Sequence, residues 1–196
     1  MRVRKSARDR AGDILDAAFA LFQANGYAAV QIEHIRAETG LSRGGFYHHF
    51  GSKAAVLKAL VDREQSTLAK GSGTDLRALL TEGSAYLDAT PGIEACLSDP
   101  DDITLYLGYL EYAQDTHLAP LIAEALQRSG DLPMPASHAA QIFLAVNHRI
   151  TRQVLTGGWN KEESLFFTRS ALLGFEKMLH RPGLFDQILT TSEEGH

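Results

Sequence analysis

The sequence contains a single cysteine, Cys96, among its 196 residues. One thiol excludes an internal disulfide and leaves no cysteine-rich metal site, and it fits a reducing cytosol. Histidine occurs eight times, but the residues show no metal-ligand spacing. We therefore expect neither a metal nor a cofactor.

Long apolar runs are also missing. Hydrophobic residues make up 44% of the chain, yet no stretch approaches the roughly 20 residues that a membrane-spanning helix requires. Arg2, Arg4 and Lys5 make the N-terminus basic, but no apolar segment follows, so we do not expect a secretory signal. These features predict a cytoplasmic protein with no membrane partner.

Catalytic motifs are absent as well. The sequence has no His-Glu-x-x-His, no Gly-x-Ser-x-Gly and no phosphate-binding loop. His117, His138 and His180 are isolated in sequence. We therefore assign no catalytic residue, and a small all-α enzyme is the weakest of the functions that we consider.

What the sequence does contain is a helix-turn-helix pattern between Val30 and Lys58. The segment 32–39 predicts a first helix, which Gly40 ends because glycine adopts the left-handed cap conformation without a steric penalty. Ser42 is a suitable N-cap for a second helix from Arg43 to Phe50. In such units the second helix enters the major groove of DNA.

The second predicted helix has a composition that suits this task. Its donors for phosphates and base edges are Arg43, Tyr47, His48 and His49. Gly44 and Gly45 have no side chains, so DNA can approach the backbone closely. The alternative is a helical hairpin of an all-α core whose polar residues face water.

The segment from Ile14 to Lys58 resembles the DNA-binding domain of the TetR (tetracycline-repressor) family. The matching residues include Ile14-Leu15, Ala17-Ala18, Leu21-Phe22, Gly26-Tyr27, Ile35, Gly40-Leu41-Ser42, Gly44, Phe46-Tyr47-His48-His49-Phe50 and Ser52-Lys53. The run Tyr-His-His-Phe followed by Ser-Lys is the most specific part. Beyond this segment, only length and helical character match the family.

The motif and the resemblance together predict a set of DNA-binding residues. The set consists of Gln31, Arg36, Ser42, Arg43, Gly44, Gly45, Tyr47, His48, His49 and Lys53. Gln31 and Lys53 begin helices, where phosphates are favoured. The resemblance implies that Tyr47 and His48 contact the DNA backbone, and Arg43 suits the two acceptors of a guanine edge.

Charge is distributed unevenly along the chain. The net charge is −5, yet residues 1–60 hold nine Lys and Arg against five Asp and Glu, a net of +4. A basic end on an acidic body is typical of modular DNA-binding proteins. We predict a helix-turn-helix domain over residues 1–53, with a basic tail at 1–7, and a larger helical domain over 54–196.

Apolar residues at helical spacing predict an all-α fold for the whole chain. Besides the motif, the expected helices cover residues 7–25, 52–70, 74–87, 101–116, a short segment ending near 128, 136–156 and 162–179. The resemblance implies that the last two helices pair with their copies in a homodimer. The apolar surface of Phe166-Phe167 and Ala171-Leu172-Leu173 agrees with this pairing, although a monomeric hairpin is the alternative.

The resemblance also implies that the C-terminal domain binds a small-molecule effector, which we expect to be apolar or aromatic. The tyrosines at 106, 109 and 112 line a cavity or belong to a packed core. From helix position we assign effector binding to Tyr106, Tyr109, Phe143, His148 and Trp159. The implied function is a repressor that leaves a palindromic double-stranded operator when the effector binds. A dimeric DNA-binding regulator without a ligand is the main alternative.

Overall fold

The computed structural model describes residues 7–72 and 92–186. The described residues contain eight α-helices, one short 3-10 helix and no strand, which confirms the predicted all-α fold. The α-helices are α1 (Ala7–Asn25), α2 (Ile32–Thr39), α3 (Arg43–Tyr47), α4 (Lys53–Ser72), α5 (Pro100–His117), α6 (Ala119–Arg128), α7 (Ala136–Leu155) and α8 (Lys161–Leu179). The basic tail at 1–6, the helix expected at 74–87 and the C-terminal residues 187–196 lie outside the described residues.

The chain divides into two compact units. The described part of the first unit consists of residues 7–64 and 92–109, and that of the second consists of residues 65–72 and 110–186. The first unit thus contains the whole helix-turn-helix together with the 3-10 helix Ile93–Cys96. The functional division that the sequence suggests, at residue 53, stays a prediction.

The first unit is built around α1, whose apolar stripe is buried. Ile14, Ala18 and Phe22 are fully buried, as expected for residues that recur every three or four positions. Gly26 ends the helix with a φ of +80°. Tyr27 then turns inward against Phe22, with ring centres 5.0 Å apart. This corner is the base on which the helix-turn-helix rests.

The helix boundaries in the motif agree with the sequence in one case and differ in two. Helix α2 has the predicted bounds, whereas α3 ends at Tyr47 and not at Phe50. The α3 prediction is wrong because the His49 amide donates to the Phe46 carbonyl, three residues back, which tightens the last turn. Helix α4 continues past Lys70 to Ser72, since one glycine in a helix costs only about 1 kcal/mol.

The second unit has a core formed mainly by α6, α7 and α8. Its buried apolar residues include Ile122, Leu126, Ala140, Phe143, Leu144, Leu172, Phe175 and Leu179. A reciprocal capping box begins α8, because Asn160 accepts from the Glu163 amide at 2.9 Å and Glu163 accepts from the Asn160 amide at 2.8 Å. His180 ends α8 in the left-handed conformation.

A C-terminal turn packs against α8 in the second unit. Phe185 is fully buried, and its ring centre lies 6.1 Å from that of Phe175. The buried carboxylate of Glu176 accepts a hydrogen bond from the Phe185 amide at 2.6 Å. The described residues after α8 are therefore held against that helix. Within the described ranges, no helix combines the length and the apolar character needed to cross a membrane.

Glu64, in the first unit, carries a carboxyl group whose ionisation is unfavourable in the folded protein. Burial, and secondly the charge of Glu94, raise the pKa of Glu64 from 4.5 to about 7. The folded protein therefore binds this proton more tightly than the unfolded chain does. Ionisation of Glu64 destabilises the fold as pH rises from about 4.5 to about 7, and the full penalty is present above that range.

We predict that Glu64→Gln stabilises the protein at pH 8 and not at pH 4. The neutral amide removes the ionisation penalty, and the gain should be on the order of 2 kcal/mol because one pKa unit corresponds to about 1.4 kcal/mol. Urea unfolding at both pH values measures the difference. Glu38→Gln, at an exposed position of α2, is the matched control. An equal change at the two pH values would contradict the assignment.

Candidate nucleic-acid interface

The turn between α2 and α3 has the geometry of a helix-turn-helix. Gly40 caps α2 in the left-handed conformation, with φ 64° and ψ 24°. The Leu41 amide donates to the Arg36 carbonyl at 3.1 Å, which satisfies a carbonyl at the end of α2. Ser42 then caps α3, since its hydroxyl oxygen accepts from the Gly45 amide at 3.1 Å. Both predicted caps are confirmed.

Helix α3 separates into a buried side and an exposed side. Phe46 is fully buried, and it holds the helix on the core of the first unit. Arg43, Tyr47 and His48 are exposed, and the Arg43 guanidinium carbon lies 5.8 Å from the centre of the Tyr47 ring. His49 is half-buried. The exposed side thus presents hydrogen-bond donors on a helix whose position is fixed by an aromatic anchor.

The two glycines of α3 differ in their surroundings. A Cβ atom at Gly45 would lie 3.2 Å from the Ser42 Oγ and 3.5 Å from Leu41. Glycine at position 45 therefore relieves crowding in the capped turn. A Cβ at Gly44 would meet nothing within 4 Å among the described residues. Packing inside the first unit does not explain Gly44, so close approach of an external partner stays the prediction for it.

Gln31 and Arg36 belong to the first helix of the motif, Gln31 as its N-cap and Arg36 within α2. Gln31 is the exposed N-cap residue of α2, and its amide donates to the His34 Nδ1 at 3.2 Å. Arg36 is half-buried. Its buried Nε has no hydrogen-bond partner among the described residues. Phosphate contacts of both residues stay a prediction.

Lys53 has an intramolecular role that the sequence does not reveal. Its ammonium donates to the Tyr27 carbonyl at 2.9 Å and to the Ala28 carbonyl at 3.4 Å. The same Nζ lies 4.2 Å from the centre of the Tyr27 ring, a distance at which a cation is attracted to the aromatic face. Lys53 therefore joins the start of α4 to the α1–α2 connection, whatever it contacts in DNA.

The five residues assigned to an effector fall in different places. Tyr106 is fully buried in the first unit, where Tyr109 is half-buried. The other three belong to the second unit. His148 Nε2 lies 2.6 Å from the Gln114 Oε1, and burial lowers the pKa of His148. The Trp159 ring centre lies 4.6 Å from that of Phe167.

Phe143 lines a pocket between α7 and α8, whereas Trp159 lines a separate and more open one at the start of α8. The cavity between α7 and α8 itself has a volume of about 30 Å³, and it lies in a wider groove of about 390 Å³ that is partly open to solvent. The apolar lining consists of Phe143, Val146, Ile150, Ala171, Leu172 and Phe175. Sequence analysis missed Asn147, a buried amide that also lines the pocket. The sequence feature that could have indicated Asn147 is a polar residue four positions after Phe143, within a stripe of apolar residues.

The geometry defines an all-helical protein with a helix-turn-helix whose second helix presents donors to solvent. Residues 14–60 match the model of the tetR family of bacterial regulatory proteins. The matched segment contains the whole helix-turn-helix, so this part of the chain is similar to the DNA-binding domain of that family.

Two characterised relatives and one solved structure show the extent of the similarity. The transcriptional regulator SrpR of Pseudomonas putida is 27% identical over 146 residues, which cover 74% of this chain and 61% of SrpR. The A-factor receptor protein of Streptomyces griseus is 32% identical over 74 residues, or 37% of this chain and 27% of the receptor. Both alignments span less than two thirds of the relative's length.

The solved structure extends the likeness in fold to most of the chain. A TetR-family regulator from Pectobacterium atrosepticum aligns with a TM-score of 0.60 at 19% identity. The alignment covers 91% of this chain and the whole of that protein. At this identity the match speaks for a common fold and not for a common ligand or operator.

We predict that Lys53→Met lowers the free energy of unfolding by about 1–3 kcal/mol, because hydrogen bonds from a charged donor are lost while the apolar stem remains. Lys70→Met, which removes the same charge from an exposed position of α4, should have little effect. Chemical unfolding of both variants without DNA measures the difference. Equal stabilities of the two variants would show that the carbonyl contacts contribute nothing.

Proposed function

We propose that this protein is a cytoplasmic DNA-binding regulator, a repressor that leaves a palindromic operator when a small-molecule effector binds. The observation that carries the proposal is the exposed side of α3. It presents Arg43, Tyr47 and His48, and it lies in the segment that matches the family model. The relatives named above are regulators and a receptor, so the proposal includes no catalytic activity.

The proposed DNA contacts divide into those that position the protein and those that read sequence. Gln31, Tyr47 and His48 are assigned to phosphates, with Arg36 and Lys53 as further cationic neighbours of the backbone. Arg43 is assigned to a base edge in the major groove. The remaining three assigned residues let the DNA backbone approach the start of α3, and they are Ser42, Gly44 and Gly45. His49 is half-buried, as are Arg36, Gly45 and Lys53.

Homodimerisation through α7 and α8 is part of the proposal. Six large hydrophobic side chains are exposed among the described residues, and four of them belong to these two helices: Ile142, Phe166, Phe167 and Leu173. Phe166 is 73% exposed and Leu173 is 40% exposed. They are seven residues apart, so they share one face of α8. An apolar helix face of this kind is stabilised when a second copy covers it.

Two-fold symmetry of the dimer requires a palindromic operator. The two recognition helices would enter successive major grooves, about 34–36 Å apart. Effector binding in the C-terminal part would favour an arrangement that no longer fits both half-sites. By thermodynamic linkage, operator DNA would then weaken effector binding by the same factor. The relative in Streptomyces griseus is itself named a receptor, which supports a ligand-responsive protein.

Selection from a random DNA pool at physiological salt tests the central proposal. We expect recovery of a palindromic sequence. Arg43→Ala should then weaken binding to that operator by about 1–3 kcal/mol and relax the preference at one base pair of each half-site. Binding that has no consensus sequence and that vanishes as the salt concentration rises would come only from electrostatic contacts with phosphates. That result would refute the proposal.

The control for Arg43→Ala is Arg128→Ala. Arg128 is an exposed arginine at the end of α6, outside the segment that matches the family, and it forms an ion pair with Glu124. The control removes the same charge, so it corrects for the change in net charge. Equal losses of operator binding in the two variants would remove Arg43 from sequence readout.

The dimer surface has its own prediction. The double variant Phe166→Asp and Leu173→Asp should be monomeric at micromolar concentration, because two charges on the apolar face would be desolvated in the interface. Tyr112→Asp changes an exposed aromatic on α5 and should leave the dimer intact. Sedimentation equilibrium measures both. A dimeric double variant would place the interface elsewhere.

A further inference from the structure

We propose that the pocket between α7 and α8 is a ligand site for a small neutral aromatic or apolar compound that carries one hydrogen-bonding oxygen. This inference rests on the proposed function only where it identifies the ligand with the effector. The pocket lies entirely within the second unit. Of the five residues that the sequence suggested, it retains Phe143.

The central observation is a buried hydrogen-bond donor that has no acceptor in the described part of the chain and is surrounded by apolar side chains. Asn147 is 7% exposed, and it lines the pocket together with Phe143 and Phe175. Its buried Nδ2 has no hydrogen-bond partner among the described residues. A buried amide that lacks a partner is unfavourable, because it has given up its hydrogen bonds to water without replacing them. A ligand oxygen that accepts from Nδ2 would remove that cost.

Thr168 adds a second polar atom on the opposite wall. It lines the pocket from α8, whereas Asn147 lines it from α7. The Thr168 hydroxyl donates to the Ser164 carbonyl at 2.8 Å, so its oxygen can still act as an acceptor. One donor and one acceptor across an apolar space suit a hydroxyl group, which both accepts and donates.

The charge of the ligand follows from the lining. Among the described residues, no acidic or basic side chain lines the pocket. An ionised ligand would be desolvated without a counter-charge, which is strongly unfavourable. The aromatic rings of Phe143 and Phe175, whose centres are 5.6 Å apart, favour a flat apolar body. A phenol has the required combination of features.

Two residues of the proposed dimer surface, Phe166 and Leu173, lie on the side of α8 opposite the pocket. Thr168, Leu172 and Phe175 face the pocket. At 100° per residue, Phe166 and Leu173 point away from that side. A second copy that covers the exposed face would therefore leave the pocket between α7 and α8 in place. Contacts of Phe166 and Leu173 with a partner subunit therefore do not require that the pocket be filled by the partner.

The probe for the experiment is p-cresol, with p-xylene as its isostere without the hydroxyl. NMR titration of methyl resonances in the full-length protein gives both the dissociation constant and the residues affected. We expect p-cresol to bind more tightly than p-xylene, with the largest shifts at Ala171 and Leu172. Absence of saturable p-cresol binding, or shifts confined to other residues, would overturn the proposal and leave water as the occupant.

Asn147→Leu tests the assigned donor with a side chain of similar size. It should weaken p-cresol binding roughly three- to tenfold, the value of one net hydrogen bond, and leave p-xylene binding unchanged. An unchanged preference for p-cresol would overturn the role of Asn147. Ala171→Phe, which fills the pocket, should abolish binding of both probes, and it keeps the test valid where Asn147→Leu does not fold.

The effector role is tested separately with the selected operator. Release of DNA by saturating p-cresol from the wild-type protein, and not from Ala171→Phe, would support the pocket as the effector site. Saturation of the pocket without release would show that it is a ligand site that does not control DNA binding. A protein that binds no operator at all would refute the proposed function, while the titration would still decide the pocket.

Discussion

A five-residue helix has no stability of its own in water, because forming its first turn fixes several residues for a single hydrogen bond. The exposed side of α3 therefore depends on its supports. Gly40 and Ser42 fix the turn that precedes it, and the buried Phe46 ring anchors its inner side. Lys53 secures the start of α4 on the carbonyls of Tyr27 and Ala28. The polar face can then be exposed without being disordered, which is what a surface needs if it is to read DNA.

Sequence analysis predicted the parts of this arrangement that follow from local backbone chemistry. The bounds of α2, the left-handed Gly40 and the Ser42 cap depend only on neighbouring residues, and all three were predicted. The end of α3 was not predicted, since no side-chain pattern marks the point at which the His49 amide donates to the Phe46 carbonyl and tightens the last turn. The carbonyl contacts of Lys53 join atoms that are 25 and 26 residues apart. No local pattern distinguishes such a lysine from one that awaits a phosphate.

Prediction was weaker in the second unit, and the reason lies in helix geometry. Apolar periodicity indicates which side of a helix is buried, but it does not say whether that side meets a tightly packed neighbour or a space. Tyr106 is fully buried, and the imidazole of His148 lies at hydrogen-bond distance from Gln114. The positions of these two residues in the sequence do not distinguish such internal contacts from contacts with a ligand. Asn147 carried a better signal. A short polar side chain inside the stripe formed by Phe143, Val146 and Ile150 needs a partner, and the amino-acid pattern alone is enough to recognise that requirement.

The two surfaces of α8 place the proposed ligand and the proposed partner subunit on one rigid element. Phe166 and Leu173 face away from the pocket that Leu172 and Phe175 line. A compound held between α7 and α8 would change the distance between these two helices. Close-packed interiors transmit such a displacement because they resist compression. The same two helices would carry the dimer contacts, so a small displacement at the pocket reaches the interface without a long pathway. Under this proposal, the affinity for ligand and the distance between half-sites are set by the same pair of helices. Reciprocal coupling between effector and operator is then a consequence of the architecture.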